Sequence, residues 1–417
     1  MGCGAVATPL WRDRRFVLLL GARVISVLGN GFARVALGFA VLALPGASAG
    51  RLSLVLACQA LPQLAFILVG GVIADRMSRS RLMMLADVMG AGAYGALAAL
   101  VLTGHAPLPA MCLLAVAAGT ANSLFAPAME GLVPLLVPAG RLQRANGLLR
   151  VGTNTSLLLG LGLSGVTVAL VGAGWALALN AASFAVSAVL TGRLKVAGRP
   201  RVRASGWTEL RQGWREFSSR QWLWVVVAQY AVVIAALNAE VGVLGPLTVE
   251  HQGGARSWSV IVGAQALGTI AGAGLAARVR VQRPIFIAVL STFPAAVPML
   301  LLSLGAPLWL TAAAMFGAGV ANDVFGVLWS TTLQREIPEH VLSRVTSYDW
   351  FGSLALAPLG LLIAGPIAST AGTSWTLAGC ATLVVLATTA ALLAPQVRGL
   401  RTPAEAGVAE PEVSRAG

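Results

Sequence analysis

The heptapeptide G-T-A-N-S-L-F, Gly119–Phe125, returns two hundred positions later as G-V-A-N-D-V-F, Gly319–Phe325. Gly119, Ala121, Asn122 and Phe125 keep their places as Gly319, Ala321, Asn322 and Phe325. The register continues outward from this stretch. Pro138, Leu142 and Arg144 recur as Pro338, Leu342 and Arg344. Leu159, Gly160, Leu161 and Gly165 recur as Leu359, Gly360, Leu361 and Gly365. Gly172, Trp175 and Leu177 recur as Gly372, Trp375 and Leu377. One constant offset, held over this distance, marks two copies of one unit running in the same direction.

Composition says what kind of unit is repeated. Of 417 residues, 57% are apolar and 11% are charged, whereas soluble domains carry roughly 25% charged residues. A water-soluble core cannot hide that much apolar surface, so the bilayer is the solvent. Twelve apolar segments can be marked, at 16–44, 53–74, 82–103, 110–126, 147–172, 174–194, 222–249, 258–277, 285–304, 308–330, 346–370 and 373–394. Each is near the ~20 residues a helix needs to cross. Helices are expected throughout because a spanning helix satisfies its own backbone hydrogen bonds. The expected fold is therefore all-α and integral to the membrane, with twelve transmembrane helices in two parallel-repeat six-helix bundles. Parallel repeats of this kind recur in secondary transporters.

The net charge of +14 would suggest a nucleic-acid partner in a soluble protein. Its distribution argues instead for topology. With both termini inside, every basic residue except Arg23, Arg34, Arg51 and Arg256 falls in a cytoplasmic segment or, as Arg150 and Arg193 do, at the cytoplasmic end of a span, and the positive-inside rule is satisfied. Lys195 is the one lysine; every other basic residue is arginine. With the Ala, Gly and Leu excess, this fits a GC-rich bacterial genome and a multi-pass protein of the inner membrane.

The division runs 1–194 for the first bundle, 195–221 for a cytoplasmic linker, 222–394 for the second bundle and 395–417 for a polar tail. In the linker, Trp207, Leu210, Trp214 and Phe217 fall on one helical face, which predicts a short helix on the membrane surface. The tail is expected to be disordered. Cys3, Cys58, Cys112 and Cys380 show no metal spacing, and His105, His251 and His340 are scattered through loops. No phosphate-cradling loop and no nucleophile–base set is found. An enzyme, a resident cofactor and a metal site are not expected; the chain reads as a monomer.

From Gly71 to Arg81 the loop after the second segment reads G-V-I-A-D-R-M-S-R-S-R. It resembles the loop signature of the major facilitator superfamily, G-x-x-x-D-R-x-G-R-[RK]. Gly71, Asp75, Arg76 and Arg79 match; Ser78 stands where glycine is usual, and the last basic residue is displaced to Arg81. The stretches from Phe16, Phe125 and Leu333 resemble the macrolide-efflux and enterobactin-exporter branch of that family. In the family this loop meets the eleventh span, so the resemblance implies a cytoplasmic gate formed by Arg76 or Arg79 with Asp349. The alternative is that these arginines only fix topology. Two family patterns are incomplete: the fifth segment keeps the glycines of L-G-L-G-L-S-G, Leu159–Gly165, without the antiporter proline, and Ala115 stands near the fourth-segment arginine of many proton antiporters.

Ionisable residues within spans point to function. Arg23, Ser26, Asn30 and Arg34, spaced three, four and four apart, share one face of the first helix. A lipid-facing arginine at mid-depth costs about 3 kcal/mol, so this stripe is expected to face a central cavity. Snorkelling leaves a second placement open for Arg23, and the outer headgroups do so for Arg34. Glu240, at matching depth in the seventh segment, is the expected partner of Arg34. Asp323 either carries a proton or joins the cytoplasmic charge network. Asp87 and Glu130 are assigned to that network, with Glu130 placed after the fourth segment.

The expected function is secondary active transport by alternating access, with a small-molecule substrate and the proton gradient as energy source. The resemblance implies efflux of a small amphipathic or hydrophobic compound, a drug or secondary metabolite. The alternative is uptake of a nutrient or siderophore-like solute; a membrane enzyme or sensor fits less well.

Overall fold

The computed structural model describes residues 10–42, 54–62, 66, 73, 77–194, 206–249, 254–279 and 281–401. Eleven of its helical stretches are long and apolar enough to cross a bilayer. Numbered as in the sequence, span 1 is Arg14–Leu42, span 3 Arg79–Leu102, span 4 Leu108–Leu136, span 5 Leu142–Val171 and span 6 Ala173–Gly192. Of span 2, residues 54–62 are described and helical. Span 7 is Gln221–Thr248, span 8 Gly254–Ala276, span 9 Pro284–Ser303, span 10 Leu308–Glu336, span 11 Glu339–Ala371 and span 12 Thr373–Leu393. Among the described residues no strand occurs.

The duplication seen in sequence is a duplication of structure. Spans 4 and 10 begin after Pro107 and Pro307 and are 29 residues long. Spans 5 and 6 are separated only by Gly172 at φ 93°, and spans 11 and 12 only by Gly372 at φ 89°. That left-handed conformation suits a residue without a Cβ. One repeated pair of glycines, Gly160 and Gly360, marks the same close helix approach in both halves. A Cβ on Gly160 would collide with the Leu28 carbonyl oxygen, and one on Gly360 would collide with that of Ala235. Spans 5 and 1, and spans 11 and 7, therefore touch backbone to backbone, as small residues permit in a bilayer.

The described helices gather into two bundles. Spans 1, 3, 4, 5 and 6 pack on one another, as do spans 7 to 12; the bundles meet through spans 4 and 5 against spans 8, 10 and 11. Large apolar side chains cover the outside, Leu113 at 69%, Leu170 at 78% and Trp375 at 77% exposure. Such a surface belongs against lipid tails.

Several expected boundaries shift. Span 4 runs on to Leu136, so Glu130 lies inside the helix rather than after it. Span 10 ends at Glu336 and span 11 starts at Glu339, because the helices continue past the apolar segments as polar arms. Span 11 breaks at Ala355–Leu356, where Pro358 occupies the first turn of its second part and has no N–H to give the preceding turn. Span 7 opens into a π-turn at Glu240–Leu244, just before Pro246, which absorbs the missing donor.

The linker helix, Gly206–Ser219, lies against span 11. Phe217 is buried, and the rings of Trp214 and Phe217 sit 5.6 Å and 6.0 Å from Tyr348. Protein thus covers part of the face expected to meet the membrane surface; the Trp207 and Leu210 side chains lie outside the described residues. The first residues of the expected tail are helical, and residues 402–417 lie outside the described residues. A short helix, Pro395–Gly399, buries Val397, and Gln396 Oε1 accepts the Trp222 N–H at 3.2 Å.

Candidate functional site

Span 1 places Arg23, Ser26, Asn30 and Arg34 on one face, and all four line a single cavity of about 630 Å³. The flanks of this face are fixed by contact with spans 5 and 6: Gly29 lies against Asn180 and Ser183, and Gly31 against the Gly160 backbone. The cavity walls also include Gln59 of span 2, Tyr94 of span 3, Asn122 and Ser123 of span 4, and Asn154 of span 5. Trp350 of span 11 reaches it from the other bundle.

Local contacts hold these side chains in place. The Arg23 guanidinium sits over the Phe125 ring, 5.2 Å from its centroid, a cation–π arrangement. Arg23 Nε is buried without a hydrogen-bond partner. Gln59 Nε2 donates to the Tyr94 hydroxyl at 2.8 Å, and Tyr94 stacks on Phe184 with centroids 5.7 Å apart. Arg34 is exposed to the cavity and makes no hydrogen bond or ion pair among the described residues.

Toward the face that carries the linker, a polar seam joins the bundles. Arg150 Nη1 of span 5 lies 3.5 Å from Asp323 Oδ1 of span 10, and Asn154 Nδ2 donates to the same oxygen at 3.0 Å. Asn146 Nδ2 donates to Thr331 Oγ1 at 3.0 Å and to Gln334 Oε1 at 2.8 Å, while Gln334 Nε2 donates to Glu130 Oε2 at 2.8 Å. Gln143 donates to the Ala276 and Val279 carbonyls of the span 8 end. Arg79 donates to the carbonyl of Gly131 and, at 2.5 Å, to that of Glu339. Among the described residues, the hydrogen bonds joining the bundles all fall in this linker-side half.

The expected site residues therefore separate. Arg23, Asn30 and Arg34 come together in the cavity. Asp323 sits in the seam, held by Arg150 and Asn154. Glu240 stands apart: it is fully buried in the second bundle and neither carboxylate oxygen has a partner. The expected Arg34–Glu240 pair is not formed. Arg79 and Asp349 do not pair either. Asp349 accepts from Trp329 Nε1 at 3.0 Å and from Ser353 Oγ at 3.3 Å, within its own bundle. Gly71, Asp75 and Arg76, the rest of the expected gate, lie outside the described residues. Asp87 leaves the cytoplasmic charge network to which the sequence assigns it: it is buried and accepts from Ser187 Oγ of span 6 at 2.6 Å.

Sequence reading misses Arg150, Asn146, Asn154 and Gln334. It counts Arg150 with the topological arginines, yet Arg150 lies two turns inside span 5. The available signal is the run Asn146, Arg150 and Asn154, spaced by four along one helical face.

The comparisons with known proteins agree with this architecture. The family description "Major Facilitator Superfamily" matches residues 19–357. The multidrug efflux pump Tap of Mycobacterium tuberculosis is 27% identical, over 94% of this chain and 96% of that protein. Tap of Mycolicibacterium fortuitum is 27% identical, over 92% and 96%. A crystal structure of a bacterial homologue of the iron transporter ferroportin, in an outward-facing state, superposes with a TM-score of 0.73 at 15% identity, covering 91% of this chain and 98% of that one. With its duplicated bundles, its cavity beside the seam and a family match across most of its length, the chain belongs to the Major Facilitator Superfamily of membrane transporters.

Proposed function

We propose that the protein exports small amphipathic or hydrophobic compounds from a bacterial cell by alternating access, driven by the proton gradient. It acts as a monomer in the inner membrane, with both termini in the cytoplasm and no enzymatic activity. The supporting observation is the seam: a cavity lies beyond a set of hydrogen bonds that, among the described residues, tie one bundle to the other only on the linker side. Breaking that set and closing the opposite side would move the cavity's opening across the membrane. Export, rather than import, follows the Tap pumps, which are named as multidrug efflux pumps.

We assign proton coupling to two acids. Asp323 shares its charge between the seam and Asn154, which also lines the cavity. Losing that charge on protonation would loosen the seam next to a bound substrate. Glu240 begins the π-turn of span 7 and has no partner to release.

Cells with and without the protein should be loaded with a panel of anionic, neutral and cationic fluorescent amphiphiles. Lower accumulation with the protein, lost when the proton gradient is collapsed, is expected. Higher accumulation would instead support uptake, and a difference that survives collapse of the gradient would remove proton coupling.

A further inference from the structure

The charges lining the cavity are all of one sign. Arg23 and Arg34 line it, and no acidic side chain does among the described residues. The sequence makes the asymmetry stronger: from Arg14 to Ala74, across the first two spans, no Asp or Glu occurs. The acids of neighbouring spans bond to other protein groups, although Asp87 Oδ1 is buried without a partner. Asp87 accepts from Ser187, Glu130 from Gln334, and Asp323 from Arg150 and Asn154. Asp87 and Glu130 lie close enough to attract Arg23. Among the described residues Arg34 forms no ion pair; the neighbouring group it influences is the Tyr94 hydroxyl.

We infer that the cavity takes an amphipathic organic anion, its carboxylate, sulfonate or phosphate group held by Arg34 and then by Arg23, its apolar body lying against Phe125, Tyr94 and Trp350. This rests on reading the cavity as the transport site. Three features carry it. Arg23 lines the cavity and makes no hydrogen bond or ion pair among the described residues, so its guanidinium has donors left for an acceptor on the ligand. Arg34 is uncommitted and exposed to the cavity. Guanidinium groups bind oxyanions through paired, charge-assisted hydrogen bonds. The two arginines are eleven residues apart on one helical face, about 16 Å along the axis. Arg34, nearer the C-terminal end of span 1, meets the ligand far from the seam; Arg23, beside Phe125, meets it close to the seam. Ser26 and Asn30 offer polar steps between them. A cationic compound of the same shape would face two positive charges with no counter-charge on the wall.

Two dyes built on one xanthene body separate charge from shape. Fluorescein carries negative charge at neutral pH and rhodamine 6G carries positive charge. Binding of each to the purified full chain can be followed by fluorescence anisotropy at fixed ionic strength. Fluorescein is expected to bind about tenfold or more tighter than rhodamine 6G, the scale of one charge-assisted contact. Arg34→Gln should remove most of that preference, and Arg34→Lys should keep it. The lysine variant separates loss of charge from loss of fold. Equal binding of the two dyes, tighter binding of rhodamine 6G, or an anion preference untouched by Arg34→Gln would overturn the inference, as would absence of fluorescein binding. Cellular export of cationic amphiphiles without fluorescein binding would sink the anion inference and leave export standing. Fluorescein binding that depends on Arg34, with no export of any panel member, would support the inference and remove export.

Discussion

Arg150 and Asp323 meet at 3.5 Å, with Asp323 buried and the Arg150 side chain 36% exposed. A half-exposed pair of this kind contributes about 1 kcal/mol, enough to shift a two-state gate roughly fivefold without deciding whether the chain folds. Arg150→Gln or Asp323→Asn should therefore raise labelling of a cysteine placed at Asn146, which the seam buries. Exchanging the two residues should restore protection. Unchanged labelling in the single variants would remove this pair from the gate. Glu240 poses a different problem, because a buried carboxyl with no partner is tolerated at a cost. Glu240→Gln preserves its shape, so full-length protein should accumulate normally while gradient-driven transport falls. Exchanging Arg34 with Glu240 should rescue nothing, since the two do not touch. Transport recovered by that exchange would reinstate the pairing.

At the scale of helices, four of the repeated glycines, Gly119, Gly160, Gly319 and Gly360, are contact points, whereas Gly165 and Gly365 meet nothing within 4 Å. Gly160 and Gly360 each face a carbonyl oxygen of the neighbouring first or seventh span, whereas a methyl group on Gly162 would meet nothing within 4 Å. Gly160→Ala and Gly360→Ala should lower the thermal unfolding midpoint in detergent, by an amount matching about 1–3 kcal/mol of overpacking. Gly162→Ala should leave it unchanged or raise it slightly, since alanine favours helix. Equal effects at all three positions would mean that the close approach is not what the repeat preserves. The broken span 11 and the π-turn of span 7 are a second property of elements. Both lie beside a proline in a span that reaches across to the partner helix, where freed backbone groups need neighbours to satisfy them.

At the scale of the whole molecule, the proposed alternating access starts from one arrangement. Its bundles are bonded toward the linker face, and the cavity lies beyond those bonds. Replacing Asn146 and Thr331 with cysteines, in a background lacking the native ones, places two thiols where a 3.0 Å hydrogen bond now spans the seam. Oxidation should form the cross-link and stop transport, and reduction should restore it. Transport that continues through a complete cross-link would show that the seam does not open during the cycle.

The membrane fold, the duplication and the polar stripe of span 1 were legible in the sequence because each follows from a local period or a repeated register. Apolar length sets a span, a spacing of three and four sets a helical face, and a constant offset sets the second copy. The partners of buried charges were not legible. Asp323 found Arg150 and Asn154, Asp87 found Ser187, and Asp349 found Trp329, because those contacts depend on how spans far apart in the chain lean together. Glu240 and Arg34 share a depth in sequence, yet Arg34 lines the cavity while Glu240 is buried within the second bundle. Helix rotation, fixed by close glycine contacts and prolines, decides that, and only packing in three dimensions sets it.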